Sequence, residues 1–265
     1  MQTRILSEIW IYPVKSLGGI RLSTAKVMEK GLQYDRRWML VDENGKFMTQ
    51  RTAPKMALFA VKWQGQGFYV TYGDDAVLLP TDDLSSGKII KAVVWGDSVD
   101  VLEANMSINA WFSERLEMSC RLVSFPEGNP RLIDPHFRIA NESVSLADGY
   151  PILIIGQASL DDLNNRLETP VPTNRFRPNL VFTGGSPYEE DTWKEFSVGT
   201  NRFMGAKPCA RCVLTTVDQA TGVKGREPLL TLSRYRKQGD KINFGENVIP
   251  IDYHEIHEGD EITIS

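Results

Sequence analysis

LFAVKW at residues 58–63, GFYVTY at 67–72 and AVLL at 76–79 are the runs that decide the fold. Each is short, dense in β-branched or aromatic side chains, and bounded by glycine-containing turns at 64–66 and 73–75. Such side chains fit a pleated, half-buried surface, and the turn residues reverse the chain between them, so antiparallel strands are predicted. Outward from this segment the pattern recurs at 89–94 and 97–102. Upstream it recurs at 5–13, 20–28 and 37–42, with a hairpin loop at 42–46 carrying Gly45. Many short strands at regular spacing point to a barrel or a sandwich.

The first helical period lies at residues 106–118. Ile108, Trp111, Phe112 and Leu116 share one face there, and Asn105 or Ser107 is placed to cap the start. Residues 125–141 are irregular and hold Pro126, Pro130 and Pro135. Beyond them, strands are predicted at 152–155, 180–182, 195–198, 213–217 and 261–264. Helices are predicted at 159–167, where Ser159 and Asp162 resemble a capping box, and at 229–236. The expected fold is mostly β with a few helices, in two parts. Residues 1–100 form a β-rich, barrel-like part and residues 101–265 a second one, with the boundary somewhere in 90–140.

With 34 acidic and 30 basic residues the net charge is -4. The basic excess of a non-specific nucleic-acid binder is missing, so no nucleic-acid partner is expected. No run has the length and apolarity of a membrane helix, and the start lacks the apolar core of a signal peptide. A cytoplasmic protein without a membrane partner is therefore expected. Three cysteines, Cys120, Cys209 and Cys212, are too few for a disulfide framework, and close cysteines in a reducing compartment tend to serve metal or redox chemistry.

The segment KPCARCVLTTVD, residues 207–218, carries the strongest chemical signal. Its Cys209 and Cys212 form a C-x-x-C. A structural zinc site needs four ligands, and His254 and His257 are spaced one residue too closely for a finger. A redox dithiol usually opens a helix, whereas a strand is predicted after Cys212. An iron–sulfur cluster takes four cysteines, and the chain has three. What remains is one thiolate ligand to a soft metal that arrives with its other ligands attached, with Arg211 and Lys207 expected to favour the thiolate.

Basic residues recur beside turns: Lys15 with Ser16, Arg36 and Arg37, and Arg175 and Arg177 before Asn179. Together they suit a phosphate-bearing ligand, because arginine offers forked donors and lysine a point charge. Neither G-x-x-x-x-G-K-[ST] nor G-x-G-x-x-G is present, so nucleotide binding through those loops is not supported.

These segments resemble the MOSC family with its N-terminal β-barrel partner domain, and within it the amidoxime-reducing components and their bacterial counterparts. The matching pieces, in the family's order, are IYPVKS (11–16), DR (35–36), VWG (94–96), ADGYP (147–151), ASLDDLN (158–164), FRPN (176–179) and CARCVLTTVD (209–218). The resemblance implies an N-terminal barrel packed on a MOSC barrel, with a molybdenum cofactor (molybdopterin) between them. It implies Cys212 as the metal ligand. Lys15, Ser16, Arg36, Arg177, Asn179, Ala210 and Arg211 are the implied cofactor-binding residues, and Asp148 the implied proton-handling group. Ala210 stands where the family often has serine, and Asn247 where the mitochondrial members carry tyrosine.

The implied activity is two-electron reduction of small N-hydroxylated compounds. Electrons would come from a separate flavoprotein or ferredoxin-type partner, since the chain has no dinucleotide fingerprint and too few cysteines for a cluster. The alternative is a carrier that passes sulfur or the cofactor onward through a persulfide on Cys212. A third reading is a binding module for a partner protein with a buried C-x-x-C.

Overall fold

The structure, a computed structural model, describes residues 3–81, 85–137 and 141–265. Of the irregular segment expected at 125–141, residues 138–140 lie outside the described residues. A closed seven-stranded barrel dominates the fold. Its strands run Ile152–Gly156, Leu180–Thr183, Arg4–Ile11, Glu261–Ile264, Glu195–Val198, Asn201–Ala210 and Lys241–Pro250, and the last pairs back with the first. Closure leaves none of these seven with a free edge in the ring. One neighbouring pair, Ile152–Gly156 with Leu180–Thr183, is parallel. A parallel pair needs a crossover, and the helix Gln157–Asn164 lies within it.

The strand Arg4–Ile11, from the start of the chain, is thus built into a barrel whose other six strands come from residues 152–264. The rest of the first half forms a four-stranded sheet, in the order Trp38–Val41, Arg121–Ser124, Asp97–Ala104 and Ser85–Val94. A three-stranded meander of Ala60–Trp63, Gly67–Tyr72 and Asp75–Pro80 lies beside it in the chain, and Thr24–Met28 and Gly31–Leu32 form a further small sheet with Glu255–His257. Here Val61, Phe68, Val70 and Leu79 turn inward, the alternation that the opening runs predicted. They belong to the same apolar core as Leu6, Ile154, Phe182, Phe196 and Phe203 of the barrel. The two parts of the chain therefore share one interior.

Several expected elements stand with shifted ends, and Asn105 caps the helix Met106–Leu116. Three expectations fail. The run 20–28 is two strands, because Ile20–Leu22 pairs with Arg4–Ile11 whereas Thr24–Met28 pairs with Glu255–His257. Gly156, not Ser159, occupies the cap of Gln157–Asn164, and the Ser159 hydroxyl instead donates to buried Glu190. Most important, 213–217 is not a strand. Val213–Thr216 is a short 3-10 turn, and the strand lies before Cys212, at Asn201–Ala210. The reason is local: the Thr215 and Thr216 hydroxyls donate to the carbonyls of Cys212 and Val213 at 3.0 and 2.8 Å. Such bonds compete with sheet pairing. Buried Arg175 then donates to the carbonyl oxygens of Thr215 and Thr216, which would otherwise need a neighbouring strand.

Candidate functional site

An open cleft lies between the barrel and the N-terminal turns. Lys15, Ser16, Arg36, Asp148, Arg177, Asn179, Ala210, Arg211 and Cys212 all line it, as do Arg51 and Asn247. The residues that the resemblance implied for cofactor binding and proton handling are therefore brought to one place, whereas Arg37 and Arg175, also expected to suit a phosphate, do not line it: Arg37 pairs with Glu127 and Arg175 with Asp218.

The turns that deliver them are strained. Ser16, Arg36 and Arg177 have φ of 68°, 49° and 55°, a left-handed region that non-glycine residues seldom occupy. Such strain persists where surrounding contacts over-determine it, and it gathers at functional sites. The contacts are present. The Arg36 main-chain N–H donates to the Tyr12 carbonyl at 2.9 Å, and the Leu146 N–H donates to the Arg36 carbonyl at 3.0 Å. Fully buried Asp35 accepts from the Tyr12 N–H at 2.8 Å and from Arg36 Nη1 at 2.5 Å.

Asn179 is a staple. Its side-chain oxygen accepts from Arg36 Nη1 at 2.9 Å and from the Leu153 N–H at 3.2 Å, and its amide donates to the Trp10 carbonyl at 3.1 Å. It thus joins two barrel strands to the Arg36 turn. Arg36 and Arg177 both lie over the Tyr12 ring, at 4.4 and 4.1 Å. Burial lifts the Tyr12 phenol to about 12 and pulls the Arg177 guanidinium down to about 10, which leaves Arg177 charged at neutral pH.

Three buried donors on residues of the cleft lining have no partner among the described residues: Nη2 of Arg177, Nε of Arg211 and the Tyr150 hydroxyl. Arg177 uses Nη1 on the Leu17 carbonyl at 2.6 Å, and Arg211 uses Nη2 on the Phe176 carbonyl at 2.6 Å. An unpaired buried donor costs about 1–3 kcal/mol, more when charged. A ligand bringing acceptor oxygens would remove that cost.

Lys15 is buried, and its Nζ donates to the Leu146 carbonyl at 2.8 Å and to Asp148 Oδ1 at 2.5 Å. Burial lowers its affinity for the proton, and the Asp148 charge acts against that. Desolvation would raise the Asp148 carboxyl. The charge and hydrogen bond of Lys15, the charge of Arg51 and the indole N–H of Trp95 outweigh it and hold the carboxyl well below the usual carboxylate range.

The cysteines are placed differently from expectation. Cys209 lies inside the strand Asn201–Ala210, and its sulfur meets Arg211 Nη1 at 3.0 Å. Cys212 follows the strand and caps the 3-10 turn. The cation near the Cys212 sulfur is Arg51, with Nη1 at 3.8 Å, and not the expected Arg211 or Lys207. The Lys207 ammonium lies over the Phe137 and Tyr150 rings. Arg51 was missed because it carries no motif and reaches the site only through tertiary contact; its stack on Trp95 joins two segments 44 residues apart in the chain. Among the described residues, no group of three or more His, Cys, Asp or Glu is placed to hold a metal ion.

Among the described residues, no helix is long and apolar enough to cross a membrane. Residues 3–119 match the MOSC N-terminal beta barrel domain and residues 141–263 the MOSC domain. The chain is 36% identical over 245 residues to mitochondrial amidoxime reducing component 2 of Bos taurus, covering 89% of this chain and 73% of that one. It is 36% identical over 247 residues to mitochondrial amidoxime-reducing component 1 of Mus musculus, covering 89% and 72%. It is also 33% identical over 285 residues to a molybdenum cofactor sulfurase of Oryza sativa subsp. japonica, covering 98% of this chain and 34% of that one. Fold, cleft and relatives agree: this chain belongs to the MOSC family, and carries both its N-terminal barrel domain and the MOSC domain.

Proposed function

We propose that the chain binds a molybdenum cofactor in this cleft and reduces small N-hydroxylated compounds by two electrons, which a separate electron-transfer protein delivers. The observation that carries the reading is the pair of buried, unpartnered guanidinium donors on Arg177 and Arg211, in a cleft that Cys212 also lines. A cofactor phosphate suits those donors, and a thiolate suits a soft metal that arrives with other ligands. When bound, the cofactor supplies the two-electron redox chemistry that side chains lack.

The chain's own residues divide the remaining work. Arg177, Arg211 and Lys15 hold the phosphate, and Ser16 and Ala210 add contacts from the cleft wall. Arg36 and Asn179 spend their polar groups on the frame, so they position the turns that the ligand touches. Cys212 is the protein ligand to the metal. Lys15 Nζ has two of its three hydrogens on protein oxygens, which leaves one to face the cleft. Asp148 is an anion at neutral pH and, held this low, a weak base, so its part in proton handling goes through the Lys15 ammonium that it holds in place. The cofactor would lie between the two parts of the chain, with their boundary later than the expected residue 100, because the strand Asp97–Ala104 runs through it and Arg121–Ser124 belongs to the same sheet.

The test is elemental and pterin analysis of protein from a cofactor-competent host, followed by turnover of an amidoxime with a chemical reductant. About one molybdenum and one pterin per chain, with turnover, is the expected result; absence of both overturns it. The similarity to a molybdenum cofactor sulfurase along 98% of this chain favours a second reading, a carrier with a persulfide on Cys212. That reading requires sulfane sulfur on Cys212 and no retained metal.

A further inference from the structure

Trp95 sits where tryptophan is unfavourable twice over. Val94 pairs with Asp97, so Trp95 and Gly96 are the two residues of a tight hairpin turn. Trp95 takes φ 58°, which glycine, asparagine or aspartate usually supplies. The residue is also 51% exposed. An exposed indole on a strained turn calls for a reason beyond folding.

The indole is nevertheless held. Its Nε1 donates to Asp148 Oδ1 at 3.2 Å. The Arg51 guanidinium lies over the ring at 4.4 Å, and the Phe47 ring is 5.4 Å away. Arg51 and Asp148 both line the cleft, and Arg51 reaches the Cys212 sulfur. Trp95 is not itself part of the lining, but its large aromatic surface is fixed against two residues that are, Asp148 and Arg51, the second of which reaches the sulfur of the proposed metal ligand. Holding it in advance lowers the ordering cost of binding, and ring stacking rewards a flat ligand.

We propose that Trp95 is a specificity-determining residue, a fixed stacking platform that selects planar, conjugated N-hydroxylated compounds over small aliphatic ones. This rests on the proposed function of the cleft. The N–OH group would enter beside Cys212 and Asp148 while the ring stays at the mouth against the indole.

The experiment compares benzamidoxime with acetamidoxime on the cofactor-loaded protein. Binding is measured by calorimetry without reductant, and turnover with a chemical reductant. Trp95→Gly suits the backbone conformation, so the fold should hold, which a thermal scan checks. Trp95→Tyr keeps a ring. The wild type should prefer benzamidoxime. Trp95→Gly should weaken benzamidoxime binding about threefold to tenfold and change acetamidoxime less than about twofold, and Trp95→Tyr should restore most of the preference. Equal weakening of both ligands, or no change in either, overturns the proposal. Trp95-dependent binding without turnover of either compound overturns the proposed reaction and leaves the platform standing.

Discussion

Arg36 Nη1 donates to the Asn179 side-chain oxygen at 2.9 Å, across 143 residues of sequence. The same nitrogen pairs with Asp35, which is wholly buried. One guanidinium therefore closes the frame of the cleft and neutralises an interior charge.

Arg36→Ala should therefore damage the fold as well as the cleft. It leaves the Asp35 carboxylate buried without its cation, and breaking a buried pair costs about 3–5 kcal/mol. Lys15→Ala differs, because its partner Asp148 has a side chain 56% exposed to solvent that water can compensate. Urea unfolding of the apo-proteins separates them: a large loss for Arg36→Ala, a small one for Lys15→Ala. Pterin content should fall in both. Wild-type unfolding of Arg36→Ala would show that the Asp35 pair is not a major support.

Glu246 supplies a pH dependence. It is 3% exposed, and one carboxylate oxygen has no partner among the described residues. Burial, with the charges of Asp191 and Glu190, raises its pKa to about 9 from the ordinary 4.5. The unfolded chain loses this proton near pH 4.5 and the folded chain keeps it to about pH 9. The folded state thus binds the extra proton, and stability falls as pH rises through that window. Glu246→Gln cannot ionise. Its stability relative to wild type should rise from pH 5 to pH 9 by a few kcal/mol, with an upper slope of roughly 1.4 kcal/mol for each pH step of one. A pH-independent difference in urea midpoints would sink the idea.

How legible was all this? The meander of residues 60–80 was plain, because Val61, Phe68, Val70 and Leu79 alternate inward and glycines mark the reversals. The cleft residues were legible as motifs, since Lys15, Arg36, Arg177 and Arg211 stand in short recognisable turns. The strand Asn201–Ala210 was missed because Gly205 and Pro208 interrupt it. Its register shifts absorb both, at Gly205/Lys207 and Pro208/Ala210, and sequence periodicity does not reveal bulges. Lys241–Pro250 hid for a related reason: it carries Asn243, Gly245, Glu246 and Asn247, polar or breaker residues that only tertiary partners make tolerable. Trp95 and Arg51 gain their meaning from contacts between distant segments.

The proposed electron route has a simple check. Purified, cofactor-loaded protein should reduce a model amidoxime with a chemical reductant and should not do so with NADH alone. Efficient NADH-driven turnover by the isolated chain would refute dependence on a separate electron donor.

The two cysteines should prove unequal, because the fold holds them differently. Cys209 lies in a paired strand, packs against the cluster that contains Phe176 and Phe244, and has its sulfur beside Arg211 Nη1. Its thiol is thus engaged by the wall. Cys212 lies past the strand, where its carbonyl accepts from the N–H and hydroxyl of Thr215 at 3.1 and 3.0 Å. Those bonds fix its backbone while the sulfur faces Arg51 in the cleft, and a metal ligand needs such a held base. Cys212→Ala should lose activity and most of the molybdenum, since a methyl group cannot coordinate. Cys209→Ala should keep the metal and much of the rate, at a cost of about 1–3 kcal/mol in stability for leaving an Arg211 N–H without its sulfur partner. Metal content and amidoxime turnover of both variants decide it. Loss of molybdenum from Cys209→Ala but not from Cys212→Ala reverses the ligand assignment. Two variants that match the wild type in metal and rate leave neither thiol as a ligand.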